Sequence, residues 1–162
     1  MIDEYNNENK INILKEIYEI LIDNVCLIYP NTKKDKEKYN KWFNSIMNSK
    51  NYNIITYSIN NKIIAFLSYD IIDNNLWISE VQVNDNYKNK GILKELLNQF
   101  ISNDIINNYN EIYIHINSQN IISQTVFKHI GFKLKDNTIY TIEINELKQY
   151  TNKNLTNNIK SV

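Results

Sequence analysis

Apolar residues recur along this chain with two different periods, and the changes of period mark out its elements. From Ile11 to Ile28, the residues Leu14, Ile17, Tyr18, Leu21 and Val25 fall at steps of three and four, the spacing of one helix face. Pro30 and Asn31 break that run. A second helical pattern, from about Lys34 to Asn48, sets Tyr39, Trp42, Phe43 and Ile46 on one side. Its mixed-sign start, Lys33 to Lys38, reads as a solvated face. Strand-like runs follow at Tyr52 to Ile59, Lys62 to Ile72 and Leu76 to Val83. Between them stand Asn60-Asn61 and Asp73-Asn74-Asn75, residues that tolerate the left-handed backbone of tight hairpins.

The helical period returns from Gly91 to Ile106, with Ile92, Leu96, Leu97, Phe100 and Ile101 as the buried stripe. Glu111 to Asn117 reads as a strand, and Ser118 to Ile130 as a helix with Ile122, Val126 and Ile130 in step. Gly131 stands where a helix C-cap belongs. Phe132 to Leu134 and Thr138 to Ile144 predict a closing hairpin. After Leu147 the chain turns polar, and Thr151 to Val162 reads as a loose tail behind a single domain of residues 1–150. Antiparallel strands followed by one strand-helix-strand crossover predict an α/β layered sheet with no internal repeat.

Composition narrows the function classes. Eighteen basic residues balance eighteen acidic ones, so no global field recruits nucleic acid or an anionic membrane. There is no arginine, one alanine (Ala65) and one proline, beside about thirty each of Asn and Ile. Arg, Ala, Gly and Pro have GC-rich codons, so the bias is that of an AT-rich genome, in which Lys stands for Arg and Asn for Gly. Cys26 is the sole cysteine and lies on an apolar helical stretch, so a core role is expected and an internal disulfide is excluded. The start, Met1-Ile2-Asp3-Glu4, is acidic and shows no signal-peptide pattern; no apolar run reaches transmembrane length. These features lead to a cytoplasmic expectation.

The two glycines carry the chemistry. Gly91 closes a cationic loop between the strand ending at Val83 and a helix, and such a unit cradles anions because the first helical N–H groups lack internal partners. The segment VQVNDNYKNKGILKELL, Val81 to Leu97, and the segment NIISQTVFKHIGF, Asn120 to Phe132, together resemble the GNAT superfamily of acyl-CoA-dependent N-acyltransferases. The family's Q/R-x-x-G-x-G/A cradle is matched by Lys88-Asn89-Lys90-Gly91-Ile92-Leu93, and its Asn-started helix ending in Gly-Phe by the second segment. The order of elements agrees from about Ile11 to Leu147.

The resemblance implies a GNAT-like mixed, mostly antiparallel twisted sheet with helices on both faces, and acetyl-CoA as acyl donor with no metal. It implies that Asn89, Lys90, Gly91, Ile92 and Leu93 bind pyrophosphate with help from Lys88, and that Val81 and Val83 pair with the pantetheine arm. It gives Asn120 a contact to the same arm, beside the simpler reading of a helix N-cap. Three departures stand out. Lys88 replaces Gln or Arg, Leu93 replaces a small residue, and Phe127 replaces the tyrosine proposed to protonate the leaving thiolate.

The acceptor implied is a primary amine, either a small amine or a peptide amine, attacking the thioester directly. Glu80 is the first candidate base, since strand alternation sets it and Gln82 opposite Val81 and Val83; an exposed or ion-paired carboxylate is the plain alternative. His115 is the second candidate, against a structural histidine, and Tyr140 the candidate acid. The rival function is an acyl-CoA-binding or regulatory module that kept the fold without turnover. Strand edges and twelve tyrosines are compatible with a homodimer.

Overall fold

The computed structural model describes residues 1–6 and 9–152. The elements are β1 (Ile2–Tyr5), α1 (Leu14–Ile28), α2 (Lys36–Asn48), β2 (Asn53–Ile59), β3 (Lys62–Ile72), β4 (Asn75–Val83), α3 (Ile92–Ile101), β5 (Glu111–His115), α4 (Ile121–Ile130), β6 (Lys133–Asp136), β7 (Ile139–Glu143) and α5 (Ile144–Asn152). All seven strands join one sheet in the order β1-β2-β3-β4-β5-β7-β6. Every pairing is antiparallel except β4 with β5. Helices cover both faces, which is the mixed α/β architecture expected from the order of elements. Among the described residues no helix is long and apolar enough to cross a membrane.

Turn chemistry sets the first hairpins. Asn60 and Asn61 have φ of 51° and 60°, and Asp73 and Asn74 have φ of 49° and 59°, the paired left-handed backbone of a two-residue hairpin. Each sheet face then has its own core. On one side α1 lies across β3 and β4, and Leu14, Ile17, Leu21, Ile46, Ile54 and Phe66 form an apolar cluster there. On the other side Leu96, Leu97 and Phe100 of α3, Phe127 and Ile130 of α4, and Leu147 of α5 cover the larger cluster. The two clusters are how an apolar sheet excludes water from both faces.

Four features depart from the sequence reading. Residues Ile2–Tyr5 form an edge strand, in register from Ile2 opposite Tyr57 to Tyr5 opposite Ile54. Four residues hold too short an alternation to reveal a strand; the open edge of β2 supplies the pairing. The polar stretch after Leu147 continues as α5, with Thr151 fully buried and its hydroxyl donating to the Lys148 carbonyl at 3.0 Å. The remainder of the expected tail, residues 153–162, lies outside the described residues. Third, α3 stops at Ile101 instead of Ile106, because Ser102 turns its hydroxyl back onto the Gln99 carbonyl and Asn103 reaches Glu4. Fourth, the buried side of α4 runs through Phe127 and Ile130, while Ile122 is 74% exposed and Val126 is 36% exposed.

One buried cation ties the first helices down. Lys10, 1% exposed, donates from Nζ to the carbonyls of Ile46 at 2.8 Å and Ser49 at 3.1 Å. These carbonyls end α2, where the helix dipole favours positive charge. Burial pushes the Lys10 ammonium's pKa down, and the nearby Asp70 charge opposes that shift. Ser49 in turn donates to Asp70 at 2.7 Å. We expect Lys10→Met, which keeps the aliphatic stem but no donor, to cost about 2–4 kcal/mol of stability. Urea unfolding measures this, and a loss below about 0.5 kcal/mol would show that water or a neighbour replaces the ammonium at no cost.

Candidate active site

A single inserted residue shapes the strand at the centre of the sheet. Along β3 and β4, Ser68 pairs with Glu80 and Tyr69 pairs with Ile78, so Ser79 is an unpaired bulge residue. The bulge inverts the alternation of β4. Leu76 and Ile78 face the α3 core before it, and Val81 and Val83 face that core after it. Glu80 and Gln82 therefore turn to the α1 side, beside Trp77 from the strand's first half.

The bulge coincides with the end of strand pairing. Parallel register between β4 and β5 runs from Leu76 opposite Ile112 to Ile78 opposite Ile114 and goes no further. The Asn84 N–H donates to the Ile64 carbonyl at 2.8 Å, so by alternation Gln82 and Glu80 also direct their peptide groups to β3. Val81 and Val83 direct theirs into the gap opened toward β5. There the Val83 carbonyl accepts from Asn24 Nδ2 at 3.0 Å. What remains on this edge is the Val81 peptide and the Val83 N–H.

The loop beyond β4 ends beside that gap. Asn84 to Tyr87 fold into a tight turn, with the Asn84 side chain accepting from the Asn86 N–H at 3.2 Å. Lys88 pairs with Asp85 at 2.8 Å, and the Lys90 ammonium lies 4.9 Å from the centre of the Tyr87 ring. Asn89 has φ of 61° and Gly91 has φ of 80°, so the backbone coils leftward before α3. Among the described residues, no hydrogen bond takes the N–H groups of Asn89, Lys90, Gly91, Ile92 or Leu93. A Cβ placed on Gly91 would meet nothing within 4 Å, so no protein atom fills that side of the loop. Leu93 leans on the α3-side core. Free donors, a helix start and open space suit a phosphate-bearing group.

The opposite face carries titratable groups. Glu80 accepts from Gln82 Nε2 at 3.0 Å, and Gln82 Oε1 accepts from Asn24 Nδ2 at 2.9 Å. Packed protein around Glu80 strips its solvation and raises its carboxyl pKa, and the Gln82 hydrogen bond lowers it in part. Tyr52, whose hydroxyl donates to Ser68 at 2.7 Å, lies on the same face. Burial raises the Tyr52 phenol's pKa, and the charges of Glu80 and Asp70 add to this.

The remaining sequence candidates divide between the faces. His115 shares the Glu80 side of the sheet, is exposed, and lies 2.8 Å through Nε2 from the Thr138 hydroxyl. Tyr140 is on the other side, 3% exposed, with its hydroxyl donating to Gln124 at 3.3 Å and the Lys128 ammonium 5.8 Å from its ring centre. Phe127 is buried there too, edge-on to Phe132 at 5.2 Å. Asn120 caps α4, its side chain accepting from the Ser123 N–H at 3.1 Å. The fold thus brings Glu80 and His115 to one face and leaves Tyr140 with Phe127 on the other. Sequence reasoning missed Asn24, Tyr52 and Ser68. Of these Asn24 left a trace, as a polar residue inside the apolar stripe of α1.

A separate polar cavity of about 560 Å³, lined by residues including Glu111, Glu143 and Lys148, lies at the other end of β5. It holds neither the open β4 edge nor the free N–H groups, and it is distinct from the site described.

The sequence matches the family profile described as "Acetyltransferase (GNAT) family" over residues 14–132. The chain belongs to the GNAT acetyltransferase family. A search of curated protein sequences found no match. Solved GNAT structures share its fold at low identity. One is an acetyltransferase of the GNAT family from Staphylococcus aureus Mu50, with TM-score 0.70, 20% identity, and coverage of 89% of this chain and 99% of that one. Another is the PaiA N-acetyltransferase of Thermoplasma acidophilum in complex with coenzyme A, with TM-score 0.67, 17% identity, and coverage of 88% and 98%. A third is the ribosomal-protein-S18-alanine N-acetyltransferase of Escherichia coli, with TM-score 0.64, 16% identity, and coverage of 89% and 94%.

The raised Glu80 pKa in this GNAT protein has a stability consequence. The folded chain holds the Glu80 proton to higher pH than the unfolded chain, so ionising it costs native stability above the unfolded pKa. Glu80→Gln, a neutral isostere, is expected to raise the Tm at pH 8 and to lose that advantage towards pH 4. Differential scanning calorimetry across that range checks it, and a Tm difference independent of pH would contradict the assignment.

Proposed function

We propose that this GNAT protein transfers an acetyl group from acetyl-CoA to a primary amine, which attacks the thioester directly. The observation that carries the reading is the bulged β4. It leaves the Val81 peptide and the Val83 N–H without a strand partner and carries, on its other face, a carboxylate whose pKa is raised. Bound acetyl-CoA supplies an activated acyl carbon.

The N–H groups of Asn89, Lys90, Gly91, Ile92 and Leu93 hold the pyrophosphate, and Lys88 and Lys90 add charge at the same place. The Val81 peptide and the Val83 N–H align the pantetheine arm as an added strand would. Asn120 keeps an amide N–H₂ for the same arm, since its capping bond uses only the oxygen. An alkyl ammonium with pKa near 10.4 costs about 4–5 kcal/mol to deprotonate at neutral pH. Glu80 accepts that proton, helped by a pKa shifted towards the working range. His115, on the same face, is the second candidate base. Phe127 has no proton to give, so the leaving thiolate is protonated by water or by Tyr140.

A rival reading is a module that binds acyl-CoA without turning it over, and the buried Phe127 ring favours it. Thiol release from acetyl-CoA with a panel of small and peptide amines separates the two. The enzyme reading expects turnover with at least one amine and a loss of about 10²–10⁴-fold in kcat/KM for Glu80→Gln. Thermal stabilisation by CoA with no turnover on any amine would overturn it.

The cradle is tested separately by Gly91→Ala. Its added Cβ meets no protein atom, so the stability cost is the backbone strain alone, about 1–2 kcal/mol. Alanine resists the left-handed φ of Gly91, so the loop that aligns the free N–H groups shifts, and CoA affinity is expected to fall at least tenfold by calorimetric titration. Unchanged affinity would place the pyrophosphate elsewhere.

A further inference from the structure

Asn24 is buried at 7% exposure on the apolar face of α1, and both hydrogens of its amide are used. One goes to the Val83 carbonyl at 3.0 Å and the other to Gln82 Oε1 at 2.9 Å. Gln82 Nε2 then donates to Glu80 Oε2 at 3.0 Å. The Val83 carbonyl sets the polarity of this chain from one end, whatever the protonation state of Glu80 at the other. A backbone carbonyl can only accept, so Val83 requires the nitrogen end of Asn24 to face β4. That nitrogen can bond only the oxygen end of the Gln82 amide, which turns the Gln82 nitrogen to Glu80. Without Asn24, only an ionised Glu80 carboxylate favours the nitrogen end of the Gln82 amide, and a protonated carboxyl can bond either end, so Asn24 is what keeps the donor on Glu80 in both states.

We propose that Asn24 is a positioning residue for acyl transfer: anchored on the Val83 carbonyl, it orients the Gln82 amide to donate to Glu80 Oε2, leaving Glu80 Oε1 for the acceptor's proton. This rests on Glu80 acting as the base. Asn24 bonds Val83 and Gln82 and reaches Glu80 through Gln82. It also joins α1 to β4 where β4 has parted from β5, so the base and the open main-chain edge are held by one side chain.

Several other polar groups on this face have different partners, while the buried Tyr18 hydroxyl has no hydrogen-bond partner among the described residues. Lys10 is bonded to the end of α2, Tyr52 to Ser68, and Asp70 to Ser49. From β5, Tyr113 donates to Glu111 at 2.6 Å and His115 lies against Thr138. The Asn24 amide is what α1 contributes to the Gln82–Glu80 pair.

The test uses the full chain with a carbon-13 label on glutamate carboxyls, Glu80→Gln serving to assign the Glu80 signal. Removing a donor from a carboxylate disfavours its ionised form. In Asn24→Leu the Glu80 titration is therefore expected to move up by about one pH unit. The acid limb of kcat/KM moves with it, so activity below the midpoint falls about tenfold and recovers at alkaline pH. Asn24→Asp keeps the side-chain volume but offers only acceptors above its own pKa. It draws the Gln82 nitrogen away from Glu80, moves the titration further in the same direction, and carries the test should the leucine variant not fold.

Amide spectra matching the wild type, with a Glu80 midpoint unmoved in the folded variants, would overturn the positioning role even if Glu80→Gln abolishes turnover. A midpoint that follows Asn24, in a protein whose Glu80→Gln variant keeps full turnover, would instead show that Glu80 is not the base, and the role in transfer falls with it.

Discussion

Ser79 adds one residue to β4 that β3 does not match, and the facing of Glu80, Val81, Gln82 and Val83 follows from that surplus. A strand that kept its alternation would have pointed Glu80 into the α3 core and exposed Val81. With the bulge, the apolar face of β4 stays continuous from Leu76 to Val83, while the polar residues after Ser79 gather under α1. The same distortion accompanies the parting of β4 from β5 beyond Ile78, which leaves main-chain donors and acceptors unpaired in the middle of a sheet. Peptide groups unpaired within a sheet are open to a strand-like partner. An arm rich in amides would satisfy them, as the proposed acyl-CoA site requires.

The polar side of the sheet is organised as short, separate hydrogen-bonded units instead of one network. Lys10 closes the end of α2, Tyr52 bonds Ser68, and Asn24 with Gln82 holds Glu80. Each pairs a buried donor with a specific acceptor, which limits the desolvation cost of placing polar groups beneath two helices. Glu80 has a side-chain donor that offsets its desolvation only in part. A carboxyl group with a raised pKa is a candidate for proton transfer.

The regular parts of the fold were legible because they follow local periodicity. The stripe of α1, the hairpins at Asn60-Asn61 and Asp73-Asn74, the Gly91 turn and the cap at Asn120 each involve neighbours within a few residues. What escaped local reading depends on distant partners. β1 is a strand only because β2 has a free edge, and α5 packs with three apolar residues because α3 and β7 leave a space for them. The α4 stripe was misjudged at Ile122 because two apolar faces compete on that helix, and the sheet selects the one carrying Phe127.

The candidate site divides in the same way. Sequence alone determined the left-handed glycine turn into α3, a local property, and it determined that Glu80 and Gln82 oppose Val81 and Val83, because alternation over four residues survives the bulge. Only the tertiary structure decided which of these faces meets α1, that β4 parts from β5 after Ile78, and that Asn24, 58 residues from Gln82, holds the amide beside Glu80. These depend on register and on the docking of a helix across a sheet, and such contacts between distant residues leave no period in the chain.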